Sequence, residues 1–504
     1  MDKSSSYNNI MLEEPVKKLI LRLSFPSIIS MLITSFYNIV DTYFIGKIST
    51  SASGAIGIAF SFTAIIQALA FFFGHGSGNF ISRKLGENQK EEAEKMAFIG
   101  FYAAFFLGVI IMIFGLIFKN PLSLLLGSTK TILPYTIDYL KFILLGVPFS
   151  MASFVMNNQL RFQGKAFYGM IGIGTGAVLN ITLDPVFIFI LRLGIKGAAL
   201  ATMISQIISF IMLLILYYYK SDIKLQLRNI KLNKKNPLFI KSNVSLNRKC
   251  PYKHILITRN KTHLNTKCCP QYTLKNIFHY NVSNSKNTEY FLEIIRGGTP
   301  SLLRQGISSL GTICLNLAAH PYGDEAIAAM SIVSRITYFG LAAMIGFGQG
   351  FQPVCGFNYG AKKYNRVKEA FWFCVKFGSI TMLIFSIMLG IFSKNLITIF
   401  LETDSKVITY GATALRLQCI TFSLNGWITM CNMMQQNLGK VLYASFLSMA
   451  RQGILFIPLV YILPFLFELR GLFLVQPIAD LLTFLVAIPL QLRMMRMLCT
   501  TSHL

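Results

Sequence analysis

Asn180-Ile181-Thr182-Leu183-Asp184-Pro185 lies inside a long apolar run from about Phe167 to Leu191. A carboxylate at bilayer depth costs about 3 kcal/mol on insertion scales, so an intramembrane Asp marks a functional site by default. Asn180 and Asp184 are four residues apart and share one helix face. Pro185 removes a backbone donor and strips a partner from a carbonyl one turn back, which loosens the helix beside the acid. An acid, an amide and a weakened helix on one face read as a cation or proton site in a transporter. The plainer alternative is that Asp184 pairs with a basic residue for packing.

The chain around this stretch is built for a membrane. Of 504 residues, 54% are hydrophobic and 13% charged, against about 25% charged in soluble domains. Mean hydropathy is +0.56. Apolar runs long enough to span as helices recur at about 24–46, 54–80, 96–118, 132–156, 168–192, 196–219, 300–320, 326–352, 370–392, 408–434, 444–464 and 471–496, twelve in all. Residues 1–23 are polar and mixed in charge, without the pattern of a secretory signal. The fold class expected is all-α integral membrane.

A net charge of +27 suggests nucleic acid until the cations are placed. They fall in alternate loops. Lys17, Lys18 and Arg22 precede the first span, and Arg83, Lys84, Lys90 and Lys95 join spans two and three. Arg161 and Lys165 follow span four, Lys362, Lys363, Arg366 and Lys368 follow span eight, Lys440 follows span ten, and Arg493 and Arg496 close the last. The intervening loops are poorer in Lys and Arg and carry Asp324, Glu325, Glu402, Asp404 and Glu468. The positive-inside rule then puts both termini in the cytoplasm.

The sequence repeats itself. Pro26-Ser27 opens span one and Pro300-Ser301 opens span seven, 274 residues on. Gly74-His75-Gly76-Ser77-Gly78 ends span two and Gly346-Phe347-Gly348-Gln349-Gly350 ends span eight. Gly164-Lys165 answers to Gly439-Lys440, Gly86 to Gly360, and Gly197 to Gly471. Six spans per half give the repeats the same orientation, related by an axis along the membrane normal. The expected organisation is an amino-terminal segment 1–23, a first lobe 24–219, a basic linker 220–295, a second lobe 296–496 and a tail 497–504. Two bundles facing each other across a cavity can expose it to either side by rocking.

Between Lys220 and Tyr290 the linker holds fifteen Lys or Arg against Asp222 and Glu289. This reads as a solvated cytoplasmic segment with some attraction to anionic headgroups, and nucleic acid is not expected as a partner. Cys250, Cys268 and Cys269 lie there with His254, His263 and His279, but without the paired spacing of a zinc site. No metal and no cofactor are expected. Gly172-Ile173-Gly174-Thr175-Gly176 lacks a preceding strand and a Lys-Ser/Thr, so it reads as small-residue helix packing and not as a nucleotide loop. With no P-loop, and no nucleophile–base pair to suggest an enzyme, transport must draw on an ion gradient.

The coupling site is then an intramembrane carboxylate. Tyr37, Asn38 and Asp41 face one side of span one, Asn180 and Asp184 one side of span five, and Thr202 with Gln206 gives span six a polar stripe. Two carboxylates withdrawn from water side by side hold a proton or cation readily, and the same oxygens suit H⁺ and Na⁺. The second half has Leu315 where Asp41 stood and Pro458-Leu459 where Asp184 stood, so coupling is expected in the first lobe alone. Arg451 and Asp480 are a candidate structural pair. The facing cavity is expected to be largely apolar, walled by Met and Phe, with Phe154, Gln206, Asn157, Met433 and Arg335 as candidate substrate contacts.

These stretches resemble a known family. Pro26-Ser27, Phe36-Tyr37-Asn38-Ile39-Val40-Asp41-Thr42, Gly46, Gly54, the Gly74–Gly86 segment and Asn180…Asp184-Pro185 are similar to the multidrug and toxic compound extrusion (MATE) transporters. So are Pro300-Ser301-Leu302-Leu303-Arg304-Gln305 and Gly356-Phe357-Asn358-Tyr359-Gly360. The resemblance covers the chain except about 236–290. It implies twelve helices in two lobes and export of amphipathic organic cations or drugs across a bacterial plasma membrane, by a monomer driven by H⁺ or Na⁺. In the branch with a first-lobe cation site it assigns that site to Asp41, Asn180, Asp184 and Thr202, with Tyr139 as a further member. With no acid between Leu302 and His320, the chain resembles the DinF-like or MepA-like branch. The long linker departs from the family. A lipid-linked oligosaccharide flippase of the same superfamily is the rival reading, and would need a cationic cavity.

Overall fold

The computed structural model describes residues 10–46, 48, 50–225, 286–400 and 405–500. Nearly all of the basic linker, with its Cys and His residues, lies outside them, as do Glu402 and Asp404. Every expected span is helical. The first six are Val16–Gly46, Thr50–Gly86, Lys90–Ile117, Leu133–Phe162, Ala166–Pro185 and Ile195–Lys220. The second set is Lys286–Ala319, Asp324–Gly360, Tyr364–Ile391, the broken pair Ser405–Phe422 and Asn425–Asn437, and Val441–Met449 leading into Phe456–Thr500. That last helix holds the end of span eleven and all of span twelve, bent where Glu468 leaves helical geometry at φ 51°, ψ −137°.

Among the described residues nine stretches are long and apolar enough to cross a bilayer, the last of them containing spans eleven and twelve together. Spans seven and ten are helices that fall outside this set. Span seven carries Arg304 and Gln305, both half-buried, and span ten is broken beside Asn425 and holds Asn432, Gln435, Gln436 and Asn437, all buried. Such helices survive at membrane depth by facing protein. Span three does the reverse, exposing Phe106, Ile110, Ile113, Phe114 and Ile117. That stripe at helical spacing is a lipid-facing surface.

The repeat is written into the backbone. Short helices Lys119–Leu125 and Ser393–Phe400 follow spans three and nine at equivalent positions. Positive φ recurs at Asn88 and Lys362, at Gly164 and Gly439, and at Gly194 and Glu468. Gly164-Lys165 and Gly439-Lys440 recur because both turns need a left-handed residue, which glycine adopts without steric cost. Glu468 takes the conformation of Gly194 with a side chain attached, a strain of order 1–3 kcal/mol.

Two expectations shift. Span seven begins at Lys286, within the stretch assigned to the linker, because Tyr290 and Ile294 are buried against the first lobe and Glu293 pairs with Arg83 at 3.1 Å. Arg161, assigned to a loop, sits in the last turn of span four at 3% exposure. The loop cation there is Lys165, which pairs with Asp222 at 2.7 Å. Burial holds its ammonium below the usual lysine range, and Asp222 opposes that.

The lobes meet through spans one, two, seven and eight, along a seam of glycines. A Cβ on Gly86 would stand 2.1 Å from the Phe357 carbonyl oxygen, and one on Gly360 would stand 2.1 Å from that of Arg83. These are the same contact made twice, as a two-fold relation between the halves requires. Ser24 Oγ donates to Phe347 O at 2.9 Å, and Arg83 donates to Asn437 O at 2.8 Å. All of this lies at the end where the loop cations gather. Among the described residues, a Cβ on Gly57 or Gly306 would meet nothing within 4 Å. The lobes are closed at the basic end.

Candidate coupling site and cleft

Span five is helical to Pro185, and the next turn, Val186–Ile190, is π-helical, closed by Leu191 N donating to Val186 O at 2.9 Å. This is the loosening expected where proline withholds a donor. Asp184 sits just before it and is fully buried.

Three spans converge on the acid. Asn180 Nδ2 donates to Asp184 Oδ1 at 3.2 Å and to Thr202 Oγ1 of span six at 3.2 Å. Asp41 of span one is 8% exposed, and Tyr139 of span four and Asp184 itself lie close to it. Thr202 lies beside Tyr139 as well, and Tyr37, one turn before Asp41, lies within the field of both carboxylates. Asp41, Asp184, Asn180, Thr202, Tyr139 and Tyr37 are thus brought together. Asn38 is on the same helix, and its side chain lies outside the described residues.

The electrostatics separate the two readings of Asp184. Among the described residues neither Asp41 nor Asp184 has an ion pair, whereas Asp480 in the second lobe is fully occupied. Asp480 accepts from Arg451 Nε at 2.8 Å, Gln476 Nε2 at 2.7 Å and Asn425 Nδ2 at 3.1 Å. That is a satisfied structural acid. In the first lobe one oxygen of each carboxylate, Asp41 Oδ1 and Asp184 Oδ2, is buried without a partner, and so is Asn180 Oδ1. Three orphaned acceptors on neighbouring groups form an arrangement that a proton or a small hard cation completes. Oxygen donors without thiolate or imidazole suit such ions.

The cleft between the lobes is more polar than expected. A small space of about 20 Å³ is bordered by Ser27, Ser30 and Met31 of span one, by Asn157 and Arg161 of span four, and by Gln349 of span eight. Asn157 and Phe154 are on this wall; Asn157 also donates to Gly169 O at 2.9 Å. The other candidates lie elsewhere. Gln206 is wedged against span four, where a Cβ on Gly146 would be 2.4 Å from its Oε1. Met433 is 1% exposed and packs on Gly348. Arg335 is exposed on span eight, next to Ser334, which lines a second opening in the second lobe near Arg451 and Gln476.

Sequence reasoning missed Arg161, Arg304 and His75. Their signal was a polar run, Asn157-Asn158-Gln159, continuing to Arg161 at the end of an apolar span, and a lone arginine inside span seven. His75 is 1% exposed, with Nδ1 2.9 Å from Ser301 Oγ across the lobe boundary.

A family model described as MatE matches residues 26–186 and, a second time, 300–462. Similar curated proteins include Multidrug export protein MepA of Staphylococcus haemolyticus (strain JCSC1435), 26% identical over 461 residues, 91% of this chain and 89% of the relative. MepA of Staphylococcus aureus (strain MRSA252) is 27% identical over 478 residues, 94% of this chain and 93% of the relative. A solved structure described as the outward-facing conformation of a multidrug resistance MATE family transporter of the MOP superfamily shares the fold. Its TM-score is 0.82 at 24% identity, covering 97% of this chain and 98% of that one.

Proposed function

The chain belongs to the MATE family, and on that footing we propose that it is an ion-coupled antiporter, exporting amphipathic small molecules, organic cations among them, by alternating access. The observation that carries the coupling half is the set of orphaned oxygens on Asp41, Asp184 and Asn180 in a cluster without a basic partner among the described residues. The export half rests on the relatives, whose names give multidrug export.

When an ion enters from outside, it settles between Asp41 and Asp184, and their mutual repulsion is relieved. Span five can then change shape cheaply, because its π-helical turn already lacks a regular hydrogen-bond ladder. Such a shift in a helix lining the cleft favours one lobe arrangement, and the ion's differential affinity for the two arrangements supplies the drive. By this reading both termini and the basic seam face the cytoplasm, so the lobes here are closed to the inside.

The test is export of a lipophilic cationic dye by inverted membrane vesicles, under an imposed proton gradient and then a sodium gradient. The expected result is accumulation under one of them, which names the ion. Accumulation under neither gradient would remove the coupling proposal.

A second reading, a flippase of anionic amphiphiles, is favoured by one observation. Among the described residues the charged side chain on that wall is Arg161, and no carboxylate borders the space.

A further inference from the structure

The second lobe keeps the place of the ion cluster and changes its chemistry. At the repeat offset that sets Pro300 against Pro26, Gly311 stands for Tyr37, Leu315 for Asp41 and Gln476 for Thr202. These three border a cavity of about 70 Å³ between spans seven, eight, ten, eleven and twelve. A water molecule needs about 10–15 Å³, so the cavity has room for a small ion with waters beside it. Ser334 and Tyr338, both exposed, border it as well and mark its mouth. Among the described residues no carboxylate borders it.

Arg451 is the charged group on the cavity wall. Its side chain is 16% exposed, and Nε donates to Asp480 Oδ1 at 2.8 Å. Among the described residues its two terminal nitrogens have no acceptor, and donors left bare away from water are costly. Asp480 does not serve them. It is fully buried behind the wall with both oxygens taken, Oδ1 also by Gln476 Nε2 and Oδ2 by Asn425 Nδ2. Two further observations point into the same space. Gln418 is 8% exposed and borders the cavity, and its amide has no hydrogen-bond partner among the described residues. Arg451 and Gln452, neighbours in sequence, both border the cavity from a π-helical turn over Ala450–Ile454, closed by Leu455 N donating to Ala450 O at 3.1 Å. Such turns gather at functional sites, and the π-helical turn of span five stands beside Asp184.

We propose that this cavity binds a small monovalent anion of chloride size, held by the terminal nitrogens of Arg451, the Gln418 amide and the hydroxyls of Ser308 and Ser334. All four residues border the space and can donate, and bonds from a guanidinium to an anion are the strongest among them. Asp480 orients the guanidinium from behind and does not border the cavity. A guanidinium already paired with one carboxylate suits a single negative charge better than a phosphate. Bound there, the ion braces span eleven at its π-helical turn. The inference goes beyond ion coupling at Asp41 and Asp184 and does not rest on it, because anion binding needs no gradient.

The experiment is equilibrium binding of radioactive chloride to the purified full chain in detergent, at constant ionic strength made up with gluconate. Wild type is expected to take up chloride saturably, to release it to bromide, and to bind it equally with or without sodium. Arg451→Lys keeps a charge near Asp480 but loses the planar fork. Gln418→Leu removes a donor without touching the ion pair. Each should weaken binding about tenfold, the scale of a hydrogen bond to a charged group. Anomalous diffraction from wild-type crystals grown in bromide should place a peak between Arg451 and Gln418. No saturable binding to wild type would mean that the cavity holds water alone, and overturns the proposal. So would binding that survives unchanged in both variants, or bromide found only elsewhere as an adventitious ion. The wild-type measurements decide even where Arg451→Lys fails to fold.

Discussion

Asp184→Asn is expected to reach the membrane in normal amount and to lose gradient-driven dye accumulation by about tenfold or more. The substitution keeps the shape and the contact with Asn180 Nδ2, now accepted by an amide oxygen. What it removes is the exchangeable charge. A neutral amide in place of one of two neighbouring carboxyl groups also relieves their repulsion, so the fold should be at least as stable. Energy-independent exchange of dye between the two sides should persist, because the cleft and the lobe seam are untouched. That pairing of outcomes separates coupling from folding. If accumulation is unchanged, the acid is packing; if exchange is lost too, the defect is structural.

Gly360→Val should hold the lobes apart at the basic end. Its new Cβ would stand 2.1 Å from the Arg83 carbonyl oxygen, part of the backbone of span two, which cannot swing aside as a side chain can. Overpacking of this kind costs about 1–3 kcal/mol, enough to shift a two-state equilibrium about 5–150-fold. Gly86→Val should do the same at the symmetry-related contact, 2.1 Å from Phe357 O. Cys355 is a built-in reporter: it is fully buried and adjoins Gly356, which packs on Ser82 across this seam. Reaction of Cys355 with a membrane-permeant thiol reagent, followed by peptide mass spectrometry, should be slow in wild type and markedly faster in either variant, with transport lost. Equal protection in wild type and variants would mean that the glycines do not hold the closed arrangement.

The fold was legible because its rules are simple at membrane depth. Apolar runs must be helices, loop cations mark one side, and glycines at matching offsets mark where backbones meet. The Asp184 cluster was legible for a related reason: a charge inside an apolar run is conspicuous, and the spacing of Asn180 to Asp184 and of Tyr37 to Asp41 fixes a shared helix face. The cleft was less legible. Arg161 looked like a loop cation because the apolar run stops before it, although its helix continues to Phe162. Met433 and Gln206 have the composition of a binding wall, but helix rotation turns one onto Gly348 and wedges the other against Gly146. Rotation about a helix axis is set by tertiary packing, which periodicity alone does not contain.

By the proposed mechanism, cargo leaves in exchange for an ion held at Asp41 and Asp184. This is tested most directly in proteoliposomes of the purified chain, by imposing a gradient of lipophilic cation alone and recording internal pH and internal sodium. Outward flow of the cation should drive inward movement of one of these ions against its own gradient, and the movement should vanish in Asp184→Asn. Movement of the cation in wild type with neither ion following, or ion movement that survives in Asp184→Asn, would rule out exchange at these carboxylates.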